Sequence, residues 1–231
     1  MAGTLRDEIR RSILQDIING KINISDIITE KQLCERFNVS KSPVREALIE
    51  LCSSGILESI PRLGYRFLPL DRQSMVDVTE LRLILEMAGL SKTEANLTGY
   101  MIQQLYDYLD HEAKTDTVDV WQSWLENYKF HILLNSMCGN VMIVNSLAKA
   151  LETLSRGYVQ YYPKKYSVET FQLDLRGHRK IVDRLAEKDF AGAKKALEED
   201  ILDLTGKLFD NPRREWHVPE HVNFFSDGIF G

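Results

Sequence analysis

Two helix-start signals thirteen residues apart near the N-terminus leave the chain around them little choice of fold. Thr29-Glu-Lys-Gln32 has the form of a capping box, in which the threonine hydroxyl accepts from the third amide and Gln32 reaches back to the cap. It predicts a short helix over 30–37, a tight break at Asn38-Val39, and a new start with Ser42 as N-cap and Pro43 at the first helical position. That next helix carries Val44, Ala47, Leu48 and Leu51 on one face and stops near Ser53-Ser54-Gly55. Ahead of the pair, Leu5, Ile9, Ile13, Leu14 and Ile17 recur at helical spacing until Gly20. Behind it, 56–60 and 65–68 read as two short strands around the turn Pro61-Arg-Leu-Gly64. Three helices and a hairpin in this order are the plan of a winged helix-turn-helix.

The rest of the chain reads as helix. Pro69-Leu70-Asp71 is expected to be a linker, followed by six helices at 73–96, 99–112, 117–137, 140–161, 167–187 and 190–208. The fold class is therefore mainly α: a winged helix-turn-helix over 1–70, an all-helical bundle over 71–211, and a tail over 212–231 that mixes Pro, Gly, aromatics, His217 and His221. A length of 231 residues suits one large domain or two small ones. With 44% apolar and 27% charged residues, wholesale disorder is excluded. No apolar run approaches the roughly 18 residues that cross a bilayer. The N-terminus turns charged at Arg6 and Asp7 with no hydrophobic stretch behind it, unlike a secretory signal. Cys34, Cys52 and Cys138 are odd in number and widely spaced, which points to free thiols in a reducing cytoplasm and away from a disulfide framework or zinc cluster.

A net charge of −5 argues at first against nucleic acid. The first 70 residues, however, hold 10 Lys+Arg against 9 Asp+Glu, and the remainder 19 against 25. Any DNA-binding surface is therefore expected in the first part. In a helix-turn-helix the second helix enters the major groove N-terminus first. Here those positions are Ser40, Lys41, Ser42 and Arg45, all donors suited to phosphate oxygens or to the acceptors of guanine. Lys31 starts the preceding helix near the DNA backbone, Arg62 stands at the hairpin tip, Gly64 permits the turn, and Arg66 adds charge.

The stretch from Ile28 to Leu51, with Ser40-Lys-Ser-Pro-Val-Arg-Glu-Ala-Leu48 at its centre and Gly55-Ile-Leu and Pro61-Arg-Leu-Gly-Tyr65 behind it, strongly resembles the GntR family of bacterial transcription regulators. Glu80-Leu-Arg-Leu-Ile-Leu-Glu86, Asn127-Tyr-Lys-Phe-His131, Gly139-Asn140 and His178-Arg179 resemble landmarks of the FCD effector domain of its FadR-like branch, and six helices suit the VanR-type subgroup. The resemblance implies a DNA operator as partner. It also implies a cavity that in many such domains holds a divalent metal and a small carboxylate. The usual metal ligands there are one Asp and three His; this chain has Asn127 at the first position, which the family tolerates, and Asp200 at the last.

The residues support a meeting of that kind independently. Asn127 and His131, four apart, share a helix face. His178 and Asp200 each lie about 11 residues, roughly 16 Å at 1.5 Å per residue, from a turn at Lys188-Asp189, so antiparallel helices bring them level. Imidazole and carboxylate suit zinc, nickel or manganese. Arg82 is the expected clamp for an effector carboxylate, with an ion pair to Glu80 or Glu86 as its alternative role. Trp121, Trp124, Tyr161 and Tyr162 fit core packing better than a pocket wall.

The expected function is a ligand-responsive repressor acting as a homodimer on a two-fold symmetric operator. A metal-dependent enzyme built on the same histidines is the alternative, and an architectural DNA-binding protein a third reading. The chain offers no H-E-x-x-H, G-x-S-x-G or Gly-rich phosphate loop, which counts against the enzyme.

Overall fold

The computed structural model describes residues 4–18, 20–113, 120–161 and 168–206. Helix α1 (Leu5–Ile18) is followed by the short strand β1 (Ile27–Ile28), α2 (Glu30–Phe37), α3 (Lys41–Ser53) and the hairpin β2 (Leu57–Ile60) and β3 (Gly64–Phe67). Six helices then follow among the described residues: α4 (Arg72–Thr93), α5 (Gly99–Glu112), α6 (Val120–Ser136), α7 (Val141–Tyr161), α8 (Val168–Ala186) and α9 (Phe190–Gly206). Trp121, Tyr161, Tyr162 and the tail over 212–231, with His217 and His221, have side chains outside the described residues.

The capping box forms: Gln32 N donates to Thr29 Oγ1 at 3.3 Å, and Thr29 N to Gln32 Oε1 at 3.0 Å. Asn38 ends α2 in the left-handed conformation at φ +52°, which asparagine tolerates better than most residues. The next helix starts earlier than the sequence suggests. Its N-cap is Ser40, not Ser42, and Pro43 is the third helical residue. A proline anywhere in the first turn is tolerated, because the amide it lacks has no intrahelical partner there. The same proline denies Ser40 the third-position amide that an N-cap oxygen commonly accepts, and the Ser40 side chain makes no capping bond.

Strand β1 adds an edge to the hairpin, giving the antiparallel order β1-β3-β2 with Ile28 opposite Tyr65. Two residues carry no alternation, so this strand left no mark in the sequence pattern. At the hairpin tip Leu63 N bonds Ile60 O at 3.1 Å, with Pro61 and Arg62 between them and Arg62 at φ +68°. Proline followed by a positive φ is the arrangement of a type II turn. Gly64 has φ +138°, and a Cβ there would overlap the Ile28 carbonyl oxygen, so β1 requires glycine at this point.

Helices α1 and α3 bury Ile9, Ile13, Leu14, Ile17, Val44, Ala47, Leu48 and Leu51, and this core continues through Leu70 and Met75 to Trp124, Leu147, Leu151 and Leu154 of the helical part. Helix α1 packs on α6 and α7. The expected linker is docked: Leu70 N donates to Gln160 Oε1 at 2.9 Å, and Asp71 caps α4 through Ser74 N at 2.9 Å. A second core joins α4, α5, α6, α8 and α9 through Leu90, Leu105, Leu109, Phe130, Ile181, Leu185 and Leu197. Among the described residues no helix is long and apolar enough to cross a membrane.

Candidate functional site

Between the helices of the second core lies a buried polar centre. The antiparallel pair α8/α9 turns at Lys188, φ +59°, and Asp189, whose Oδ1 accepts from Gly192 N at 2.9 Å. This pairing brings His178 Nε2 to 3.8 Å from Asp200 Oδ2, as the spacing from the turn suggested. Helix α6 adds His131, whose Nε2 lies 3.2 Å from the same oxygen, and Asn127, whose Nδ2 lies 3.3 Å from His178 Nε2. One candidate ligand atom each from His131, His178 and Asp200 fall within 4.8 Å of one another. Gly177 is what lets α9 approach: a Cβ there would lie 2.5 Å from Asp200 Oδ1.

Both histidines are buried, and their surroundings treat them differently. Burial pulls His178 down to about 4 against the pull of Asp200, so its ring is neutral near pH 7. The Asn127 amide then donates to its Nε2 lone pair. Burial and Arg82 also push His131 down, but the carboxylates of Glu86 and Asp200 outweigh them and raise it. Asp200 is itself held below the usual carboxylate range: burial would raise it, and His178, His131 and Arg82 more than reverse that.

The donor set fits a divalent cation on two grounds. Two imidazoles, one carboxylate and one amide are ligands for zinc, nickel or manganese. Moreover His131 Nε2 and Asn127 Oδ1 are buried without a hydrogen bond. Rotating the Asn127 amide would offer its oxygen in place of its nitrogen.

Arg82 sits at this centre, 1% exposed, but occupied. Its Nε donates to Glu86 Oε1 at 2.7 Å, so the ion-pair role with Glu86 is realised, while its Nη2 is buried without a partner. Trp124 is buried in the first core. A surface groove of about 350 Å³ lies along α8 between Arg176, Arg179, Lys180, Asp183, Arg184 and Glu187. Asp110, Glu199 and Asp189 pair with Arg179, Lys180 and Arg184 of this groove.

On the winged part, Lys31, Ser40, Lys41, Ser42, Arg45 and Arg62 are all exposed, on α2, the start of α3 and the hairpin tip. Arg45 Nε and Nη2 donate to the two oxygens of Glu30 at 2.9 and 3.0 Å. Tyr65 of the hairpin donates to Glu30 at 3.4 Å, and Arg45 above all holds the Glu30 carboxyl below its usual range. Lys31 lies 3.8 Å from Glu35, Ser42 donates to Glu46 at 3.0 Å, and Arg66 is paired with Glu58 at 2.9 Å. Gly64, half-buried, serves the close approach of β1.

Residues 5–67 match the bacterial regulatory proteins of the gntR family, and residues 77–203 match the FCD domain, more than half of the chain. The chain belongs to the GntR family with an FCD domain. It is similar to the HTH-type transcriptional repressor RspR of Escherichia coli strain K12, at 23% identity over 87% of each chain. It is also similar to the gluconate operon transcriptional repressor of Bacillus licheniformis, at 24% identity over 84% of this chain and 81% of that one. Among solved structures, E. coli McbR/YncC shares the fold, with a TM-score of 0.63 and 17% identity over 90% of this chain and 98% of that chain. A GntR protein is a transcriptional regulator that binds DNA, and the families and relatives matched are regulators, not enzymes.

Sequence reasoning missed two residues of the GntR protein's buried centre. Glu86 accepts from Arg82 and lies 2.7 Å from His131 Nδ1, and Asn135 Nδ2 donates to Glu86 at 3.1 Å. The signal was present in α4: its buried stripe runs Met75, Thr79, Arg82, Glu86, Gly89 and Thr93, polar residues at core spacing, while Leu81 and Ile84 are exposed.

Proposed function

We propose that this GntR regulator is a ligand-responsive repressor that acts as a homodimer in the cytoplasm on a short two-fold operator, and that its buried centre takes a divalent metal and a small carboxylate. The observation that carries this reading is the double face of α6. Asn127, His131 and Asn135, four residues apart, belong to the buried centre. Trp124, Tyr128 and Ile132, at the same spacing, belong to the core shared with α1 of the winged part. A close-packed helix cannot shift on one side without moving its contacts on the other, so a ligand that repositions α6 also biases the DNA-binding part.

His131 Nε2, His178 Nε2, Asp200 Oδ2 and Asn127 Oδ1 would hold the ion, which supplies positive charge for an anionic effector in a dry site. The unpartnered Nη2 of Arg82 offers the effector a further donor. Two relatives are named as repressors, and one of them takes its name from the operon of gluconate, itself a small carboxylate. A thermal-shift screen of small carboxylates, alone and with zinc, nickel or manganese, tests the reading. A ligand of the native state raises the melting temperature. Metal-dependent stabilisation by a carboxylate is the expected result; no shift from any metal or acid contradicts it.

A further inference from the structure

The carboxylate of Glu86 is fully buried and gathers three groups from two helices. Arg82 Nε lies at 2.7 Å, His131 Nδ1 at 2.7 Å and Asn135 Nδ2 at 3.1 Å. Asn135 is fixed in turn, since its Nδ2 also donates to the His131 carbonyl at 3.0 Å. Gly89, one turn along α4 from Glu86, leaves the space that Asn135 Oδ1 fills; a Cβ there would overlap it.

The consequence concerns which nitrogen of His131 bears a proton. Asp200 faces Nε2, and a carboxylate in that place favours a proton on Nε2, the atom a metal needs bare. Glu86 faces Nδ1 and favours the opposite arrangement, Nδ1–H donated to Glu86 and the Nε2 lone pair turned to His178 and Asp200. The two carboxylates compete across one ring. Glu86 is the better aligned, at 2.7 Å with hydrogen-bond geometry, whereas Asp200 lies at 3.2 Å without it. We infer that Glu86 is the positioning residue of the metal centre: it holds His131 with Nε2 presented to the ion, and Gly89 and Asn135 hold Glu86 in turn. This rests on the metal reading above. Arg82 pairs with Glu86 on its other oxygen, Oε1, and leaves Oε2 to His131 and Asn135.

The test is zinc binding by the full chain after chelation, measured by titration calorimetry. Wild type binds one zinc. Glu86→Gln, nearly isosteric but with a single acceptor oxygen that cannot serve both His131 and Arg82, binds about 10–100-fold more weakly. The double replacement Arg82→Met with Glu86→Met exchanges a buried ion pair for apolar side chains, which folds often tolerate, and shows the same loss. In chelated wild type, where no metal dictates the tautomer, nitrogen NMR finds the proton of neutral His131 on Nδ1. Wild-type zinc affinity in both Glu86 variants, or a His131 proton on Nε2, overturns the role of Glu86 and leaves the centre standing. Failure of wild type itself to bind zinc, nickel or manganese overturns the centre and this inference together.

Discussion

Arg45 has five donors and spends two of them on Glu30, so three remain on an exposed side chain. That suits the paired acceptors of guanine. Arg45→Ala is expected to cost about 1–3 kcal/mol of operator affinity and to relax preference at one base position, read by site selection from random DNA. A uniform loss across all sequences would instead mark a phosphate contact. Arg62 is a different case, since its backbone carries φ +68° at the hairpin tip. A side chain in the left-handed region costs about 1–2 kcal/mol that glycine avoids. Arg62→Gly is therefore expected to leave the melting temperature unchanged or higher while weakening DNA binding and reducing its salt dependence; unaltered DNA affinity would remove Arg62 from the interface. At this scale the sequence was legible where chemistry is local. Thr29 and Gln32 announced their own bonds, but the start of α3 was misplaced because Ser40 and Ser42 both precede or flank Pro43 and nothing local chooses between them.

The elements followed from periodicity, and all six helices of the second part stand where apolar spacing put them. What periodicity does not show is a polar residue in a core stripe. Arg82 and Glu86, four apart, read equally as a solvent-exposed pair, and it is the packing of other helices against α4 that makes them a buried one. The junction of α5 and α6 holds a second such surprise. Burial raises the Glu112 carboxyl to about 7, with Glu126 adding to the rise and Tyr108 and Lys129 opposing it. Its folded pKa thus exceeds the unfolded carboxylate value, so the native state binds the proton more tightly. Stability associated with this group is complete below the unfolded value near 4.5 and is lost as pH rises through 7. Glu112→Gln, which mimics the protonated form, should melt with wild type at pH 5 and above it at pH 8.5. Identical melting temperatures at both would show that Glu112 ionises without cost.

Across the whole molecule, one core runs from α1 through the docked linker to α6 and α7, so the two parts are not beads on a string. The composition hinted at two parts but could not show their contact, because Leu70 and Gln160 lie 90 positions apart. A homodimer presents two copies of α3 and imposes its symmetry on the DNA. Site selection is expected to return two inverted half-sites; a single unpaired half-site would contradict dimeric binding. The central claim is that the buried centre and the DNA-facing helix are coupled through α6. The direct measurement is the affinity of the selected operator, by fluorescence anisotropy, with and without zinc and a carboxylate found to stabilise the protein. Coupling of this kind spans about 5–150-fold in affinity. The account predicts a change in that range for wild type and none for His131→Ala or His178→Ala, whose affinity without ligand stays at the wild-type value. An operator affinity indifferent to the bound ligand in wild type would contradict it.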